Sequence, residues 1–340
     1  MIKSWCSSDN PKAEWNDIKR PAHVAQIRAA ITKNLPHYFD SLVHPAEAPA
    51  PGTDLLARLG EKYKVTASNK ATPAPKAKAD ASSFEKAIAD HDKRAQQYRG
   101  VFEPEVLEEY RADDPDTFKT LLSRKCPVIR IITNSKSTEL KDWRIAYKRC
   151  PSEKLLTVFE NLLAFASEYL DELGVEKKYA TLKTAEALAV DDFDTDELSI
   201  PGVIGSGIKS LALYHLYPRV FPALGGRSVF ALYFLTEKAT FDLRSKTSEF
   251  LIVNDAKRGK DVNITMDHNY WYPYSLFSEY AVQVADMIQG ECAARAIDFD
   301  VNYRYVYADA FFKHVCDVHA ADLKVMAGVD ELREQIWASK

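Results

Sequence analysis

The sequence predicts a mainly α fold, a multi-helix domain with a few short strands, and three observations carry that expectation. Apolar residues recur at helical spacing in about ten separate stretches, against only two or three short β-branched runs. In the best of these stretches Leu155, Val158, Phe159, Leu162, Leu163, Ala166, Tyr169 and Leu170 form one wide apolar stripe behind Ser152, a good capping residue. Finally, 340 residues that are 46% hydrophobic, with 16 Phe, 17 Tyr and 5 Trp, can fill one substantial core and a smaller satellite with large rings.

Taken in order, residues 1–43 form an N-terminal helical segment in which Ala22 to Lys33 carries Val24, Ile27 and Ile31 on one face and can dock as a small element. Residues 44–82 read as a flexible Pro/Ala/Lys linker, PAEAPAPG and ATPAPKAKADASS, with room for a short helix at Asp54 to Tyr63. The main domain, 83–340, opens with helical spacing over Lys86 to Tyr98 and Glu103 to Arg111, then CPVIRIIT, whose β-branched run predicts a strand. Gly174 is a natural stop for the helix begun at Ser152. The acidic loop DDFDTDE (Asp191 to Glu197) separates the next helical segment from Ile200 to Ser210. SEFLIVND predicts a short strand, AKRGKD an exposed basic turn, and a helix starts near Pro273. Helices over Tyr303 to Val318 and Ala321 to Trp337 finish the chain, and no internal repeat is present.

The five cysteines (Cys6, Cys126, Cys150, Cys292, Cys316) are scattered and contain no CxxC, which argues for a reducing compartment and against a zinc site or disulfide framework. His314, Cys316 and His319 lack the i, i+4 spacing that two ligands on one helix face require, so no metal is expected. The most apolar stretch, Leu211 to Leu235, is broken by Arg219, Pro222 and Arg227, and the first residues lack the apolar core of a secretory signal; the expectation is a cytoplasmic chain with no membrane span. A formal charge of −4 does not advertise a nucleic-acid binder, although it can hide a local basic surface. Short basic clusters at Ser123 to Lys125 and Ala256 to Lys260 are of the kind that touches phosphate or simply faces solvent.

The richest stretch is IPGVIGSGIKSLALYHLYPRVFPALGGRSVFALYFL, Ile200 to Leu235, where two glycine clusters bracket an apolar helix. A Gly-x-Gly turn at a helix start lets backbone N–H groups approach an anion; the same glycines also serve close helix packing. Here the chain resembles the helix-hairpin-helix DNA glycosylase superfamily, base-excision enzymes similar to endonuclease III, on GSGIKSL and, out of register with it, on IPGV. The resemblance implies a helix-hairpin-helix element bound to double-stranded DNA through Gly205, Gly207 and Ser210, with Arg219 and Arg227 nearby. It makes Lys209 the match to the lysine that forms a Schiff base with the sugar. The family's catalytic Asp falls on Gly226, which can neither stabilise an oxocarbenium ion nor activate a nucleophile. The family's iron–sulfur cysteine spacing is absent, so no cofactor is implied.

A second constellation is MDHNYWYPYSLF, Met266 to Phe277. Asp267, His268 and Asn269 bring groups able to read a base edge or move a proton beside Tyr270, Trp271 and Tyr272, whose faces suit a flipped base. The alternative is an aromatic loop packed into the core. In the enzyme reading Asp267 replaces the acid missing at Gly226. The expectation is therefore a DNA glycosylase acting on modified bases, in repair or in defence against phage. Two alternatives stand beside it: a non-catalytic DNA-binding module, and a helical interaction protein without nucleic acid.

Overall fold

A computed structural model describes residues 16–45, 80–113, 115–137, 140–173, 184–258 and 261–327. Among them are thirteen α-helices and one two-stranded antiparallel sheet. The segment Asp54 to Tyr63, Gly174, most of 44–82 and the end of the predicted last helix lie outside the described residues.

Helix α1 (Pro21–Val43) docks on the main body: Ile27, Ile31, Leu35, Phe39 and Leu42 are buried, and it packs against α10, α11 and α12, defined below. It runs ten residues past the predicted end because those positions keep one apolar stripe facing the core beyond Pro36. Next come α2 (Ser82–Phe102), α3 (Pro104–Asp113), α4 (Pro115–Lys125), α5 (Pro127–Asn134), α6 (Lys141–Arg149) and α7 (Ser152–Leu173). Prolines open α1, α3, α4 and α5, where the missing N–H costs nothing and the fixed φ suits a first turn. The strand expected at CPVIRIIT is therefore corrected to α5: Pro127 starts a helix, Pro127 and Ile129 turn inward against α4, and Ile131 is left exposed. Tertiary packing of that stripe outweighs the β preference of its branched residues.

The short α8 (Ala185–Leu188) leads into two 3₁₀ turns, Asp191–Asp194 and Asp196–Leu198. A tight turn follows, with an Ile200 to Ile204 bridge and Gly202 at φ 74°, the left-handed region that favours glycine. It delivers the chain to α9 (Ser206–Leu216). The element entering this turn is 3₁₀ rather than α-helix, unlike the paired helices of a helix-hairpin-helix. Helix α10 (Gly226–Leu235) is buried on every side from Ser228 to Leu235, as its nearly continuous apolar sequence requires.

Strands β1 (Leu251–Arg258) and β2 (Asp261–His268) form a hairpin in register Leu251↔His268 and Ile252↔Asp267, and the β2 strand touches α10. Pro273, extended, then launches α11 (Tyr274–Ala294), and α12 (Arg304–Val318) and α13 (Ala320–Ala327) follow. One core joins α1, α2, α7 and α9 to α12. Inside it Tyr98 stacks on His215 at 4.3 Å and His215 on His91 at 5.1 Å. Burial pushes both imidazoles toward the neutral form, His215 well below its usual value. No described helix is long and apolar enough to cross a membrane.

Candidate functional site

The end of β2 brings His268 onto the first turn of α10, with Asp267 bonded to it. Asp267 Oδ1 accepts hydrogen bonds from the backbone N–H of His268 at 2.8 Å and from its Nδ1 at 2.9 Å. That contact puts the ring proton on Nδ1 and leaves Nε2, which has no hydrogen-bond partner among the described residues, as the basic nitrogen. The ring lies edge-on to Phe230 of α10, with centroids 5.7 Å apart. A Cβ built on Gly226 would meet His268 Nδ1 at 3.1 Å and Cε1 at 3.2 Å, so the imidazole packs close on the helix start, and a side chain at this position would push it outward. The positive end of α10 also favours a carboxylate at this place. Both side chains are about a quarter exposed.

Tyr270 and Trp271 continue the site outward. Tyr270 meets His268 edge-on at 6.1 Å and Trp271 at 5.3 Å, and Trp271 is 59% exposed, an unusual fate for a large ring with nothing to bury. Asn269 and Tyr272, expected to read a base, are corrected to interior supports. Asn269 Nδ2 donates to the Glu249 carbonyl at 2.9 Å and its Oδ1 accepts from Trp271 N–H at 3.1 Å. The Tyr272 hydroxyl donates to Glu249 Oε1 at 2.5 Å, and Glu249 also pairs with His23 of α1. This buried network anchors the loop that carries the Asp–His pair, and nothing in the local sequence announces it, because its partners come from far along the chain.

The glycine turn at α9 departs from the expectation. Lys209 is fully buried: its ammonium donates to the Phe193 carbonyl and to Ser199 Oγ (2.8 Å) and lies 4.6 Å from the centre of the Phe193 ring. Burial pulls its pKa down to about 8, opposed by the charge of Asp194. The lowered value suits amine chemistry, yet the ammonium neither reaches solvent nor bonds to Asp267, which counts against the Schiff-base role that the resemblance implies. Ser210, also fully buried, accepts from Leu224 N–H at 3.0 Å and so staples α9 to the loop before α10. Gly205 and Gly207 are exposed at the helix start, but a Cβ on Gly205 would meet nothing and one on Gly207 only the Leu224 carbonyl at 3.5 Å. Neither position requires glycine. Asp194 already brings a carboxylate there, accepting from Ser206 Oγ at 2.6 Å and from Tyr274 N–H at 3.0 Å, and so ties the start of α9 to the start of α11. Arg227, the second residue of α10, pairs with Asp309 at 3.3 Å, and Arg219 is half-buried in the preceding loop.

Among the described residues no group of three His, Cys, Asp or Glu is placed to hold a metal ion. Cys126, Cys150, Cys292 and Cys316 are free and buried, and burial raises the pKa of each thiol. No family model, no curated protein and no solved structure matches this chain.

Proposed function

We propose that this chain binds double-stranded DNA and hydrolyses the N-glycosidic bond of a modified base, with Asp267 and His268 as the reacting pair. The observation that carries the reading is the seating of His268 on Gly226. The acid expected on the first turn of α10 is missing, and a carboxylate from β2 arrives beside that turn through the imidazole. In this mechanism His268 Nε2 takes a proton from a water molecule while Asp267 holds the imidazolium that forms, and the same carboxylate stabilises positive charge developing on the sugar. The new bond joins water oxygen to the sugar carbon, and the electron pair of the broken bond leaves with the base. Tyr270 and Trp271 supply exposed ring faces on which an extruded base stacks. Lys209, enclosed as it is, takes no part, which makes the reaction a hydrolysis without strand cleavage by an amine.

The test is incubation with duplexes carrying a panel of alkylated, oxidised or deaminated bases, followed by alkali to cut abasic sites. Alkali-dependent cleavage on one class of lesion, with no cleavage before alkali, is the expected result. A second reading, a DNA-binding module without chemistry, draws on Gly226 and on the enclosed Lys209; binding without cleavage across the whole panel selects it.

A further inference from the structure

We propose that the face built by α4, α5 and α6 is a docking surface for the phosphate backbone of duplex DNA. The inference goes beyond the excision reading and survives its failure, since binding and bond cleavage are measured separately. Residues 115–149, which span these three helices, contain nine Lys and Arg against three Asp and Glu, a net of +6 in a chain whose total is −4. Among the described residues Arg124, Lys125, Arg130, Lys141, Lys148 and Arg149 are exposed and have no ion-pair partner. Several cations elsewhere are held in ion pairs: Arg28 with Glu279, Arg111 with Glu160, Arg295 with Asp40 and Glu291, Arg304 with Asp286. A cluster of unpaired like charges costs repulsion in the free protein, and a polyanion relieves it.

The helices are locked into one surface. Lys119 of α4 donates to the carbonyls of Lys148 and Cys150 at 2.9 and 2.6 Å, and Ser123 meets the Tyr147 hydroxyl at 3.1 Å. These contacts hold the last turn of α4, with Arg124 and Lys125, beside the last turn of α6, with Lys148 and Arg149, and α5 packs on α4. Trp143 Nε1 donates to the Val203 carbonyl at 2.8 Å, which fastens α6 to the turn before α9. Only Ile131 and Ile145 are exposed large apolar side chains among the described residues of this segment. Six exposed cations against two exposed large apolar side chains favour a phosphate backbone over a membrane, where a wide apolar face must enter the bilayer boundary.

The experiment measures anisotropy of a fluorescein-labelled duplex of about 25 base pairs against full-length protein over roughly 50 to 200 mM salt. The quadruple variant Arg124→Gln, Lys125→Gln, Lys148→Gln, Arg149→Gln should flatten the slope of log affinity against log salt by about 3 to 4, near 0.9 for each phosphate no longer neutralised. Because those four cations also sit at helix C-termini, the pair Arg130→Gln, Lys141→Gln, away from the last turns, serves as the second variant and should flatten it by about 2. Wild-type protein that fails to bind duplex, or a folded variant of either kind with unchanged affinity and slope, overturns the proposal. So do variants that stop binding vesicles of about 30% phosphatidylserine while their duplex binding stays intact, which would assign the patch to a membrane surface.

Discussion

Lys209→Met separates a buried lysine from a solvated one, and the structure sets the size of the effect. The ammonium is fully buried on Phe193 O and Ser199 Oγ, and its pKa falls from 10.5 to about 8. A folded-state value below the unfolded one means that the unfolded chain binds more protons between about pH 8 and 10.5, so stability rises with pH across that window. At about 1.4 kcal/mol per pH unit the gap is worth at most about 3 kcal/mol. Methionine keeps most of the stem and has no proton to lose, so its stability lacks this component. The assay is urea unfolding of both proteins from pH 7 to 10.5, reading the wild-type minus variant difference; tyrosines that titrate in the same range cancel. The difference should climb by up to about 3 kcal/mol in favour of wild type. A flat difference would mean that the ammonium is solvated, and the exclusion of Lys209 from solvent would be wrong.

Further outcomes follow from the same contacts. His91 and His215 are held neutral by burial, so the stability they contribute is present above their unfolded value of 6.5 and is lost as pH falls below it. His215→Phe, which keeps a ring against Tyr98, should weaken this acid destabilisation in pH-dependent melts; an unchanged acid limb counts against it. Tyr272→Phe removes the hydroxyl from buried Glu249 and should cost about 1.5 to 3 kcal/mol in urea unfolding, as for a hydrogen bond to a charged group. Trp271→Ala, at an exposed ring, should leave stability within about 0.5 kcal/mol yet weaken binding to a lesion-bearing duplex by about 1 to 3 kcal/mol. Equal losses of stability in the two variants would contradict the division of this loop into supports and surface.

Local signals carry much of the fold and mislead where distant partners decide. The stripe from Leu155 to Leu170, the start of α11 after Pro273 and the helix ending at Val318 are legible because periodicity and the fixed φ of proline are local, while Ser152, expected to cap α7, lies in its first turn and donates to Asp116. The helix that periodicity ends at Lys33 continues to Val43, since Leu35, Phe39 and Leu42 keep contact with the core. CPVIRIIT reads as a strand because branching is visible in sequence while the α4 surface that receives Ile129 is not. Of the candidate site, the cluster from Asp267 to Trp271 is legible as a group of chemical types. Its division is not: Glu249 draws Asn269 and Tyr272 inward, and Gly226, which reads as a loss, is the seat of His268. Lys209 reads as a surface or catalytic lysine because its acceptors, Phe193 O and Ser199 Oγ, belong to a loop that gives no sign of folding over it.

The pair that β2 delivers to the first turn of α10 is tested most directly by single-turnover excision with Asp267→Asn and His268→Ala on the lesion the wild-type protein processes. Both variants should still bind that duplex, because the exposed rings of Tyr270 and Trp271 and the basic face of α4 to α6 are kept. Excision should fall by about 100-fold or more in each, the usual worth of a positioned acid–base group, and the double variant should lose little beyond the worse single one, since the two residues act as a unit. Excision at the wild-type rate by Asp267→Asn, or losses that multiply in the double variant, would contradict the assignment.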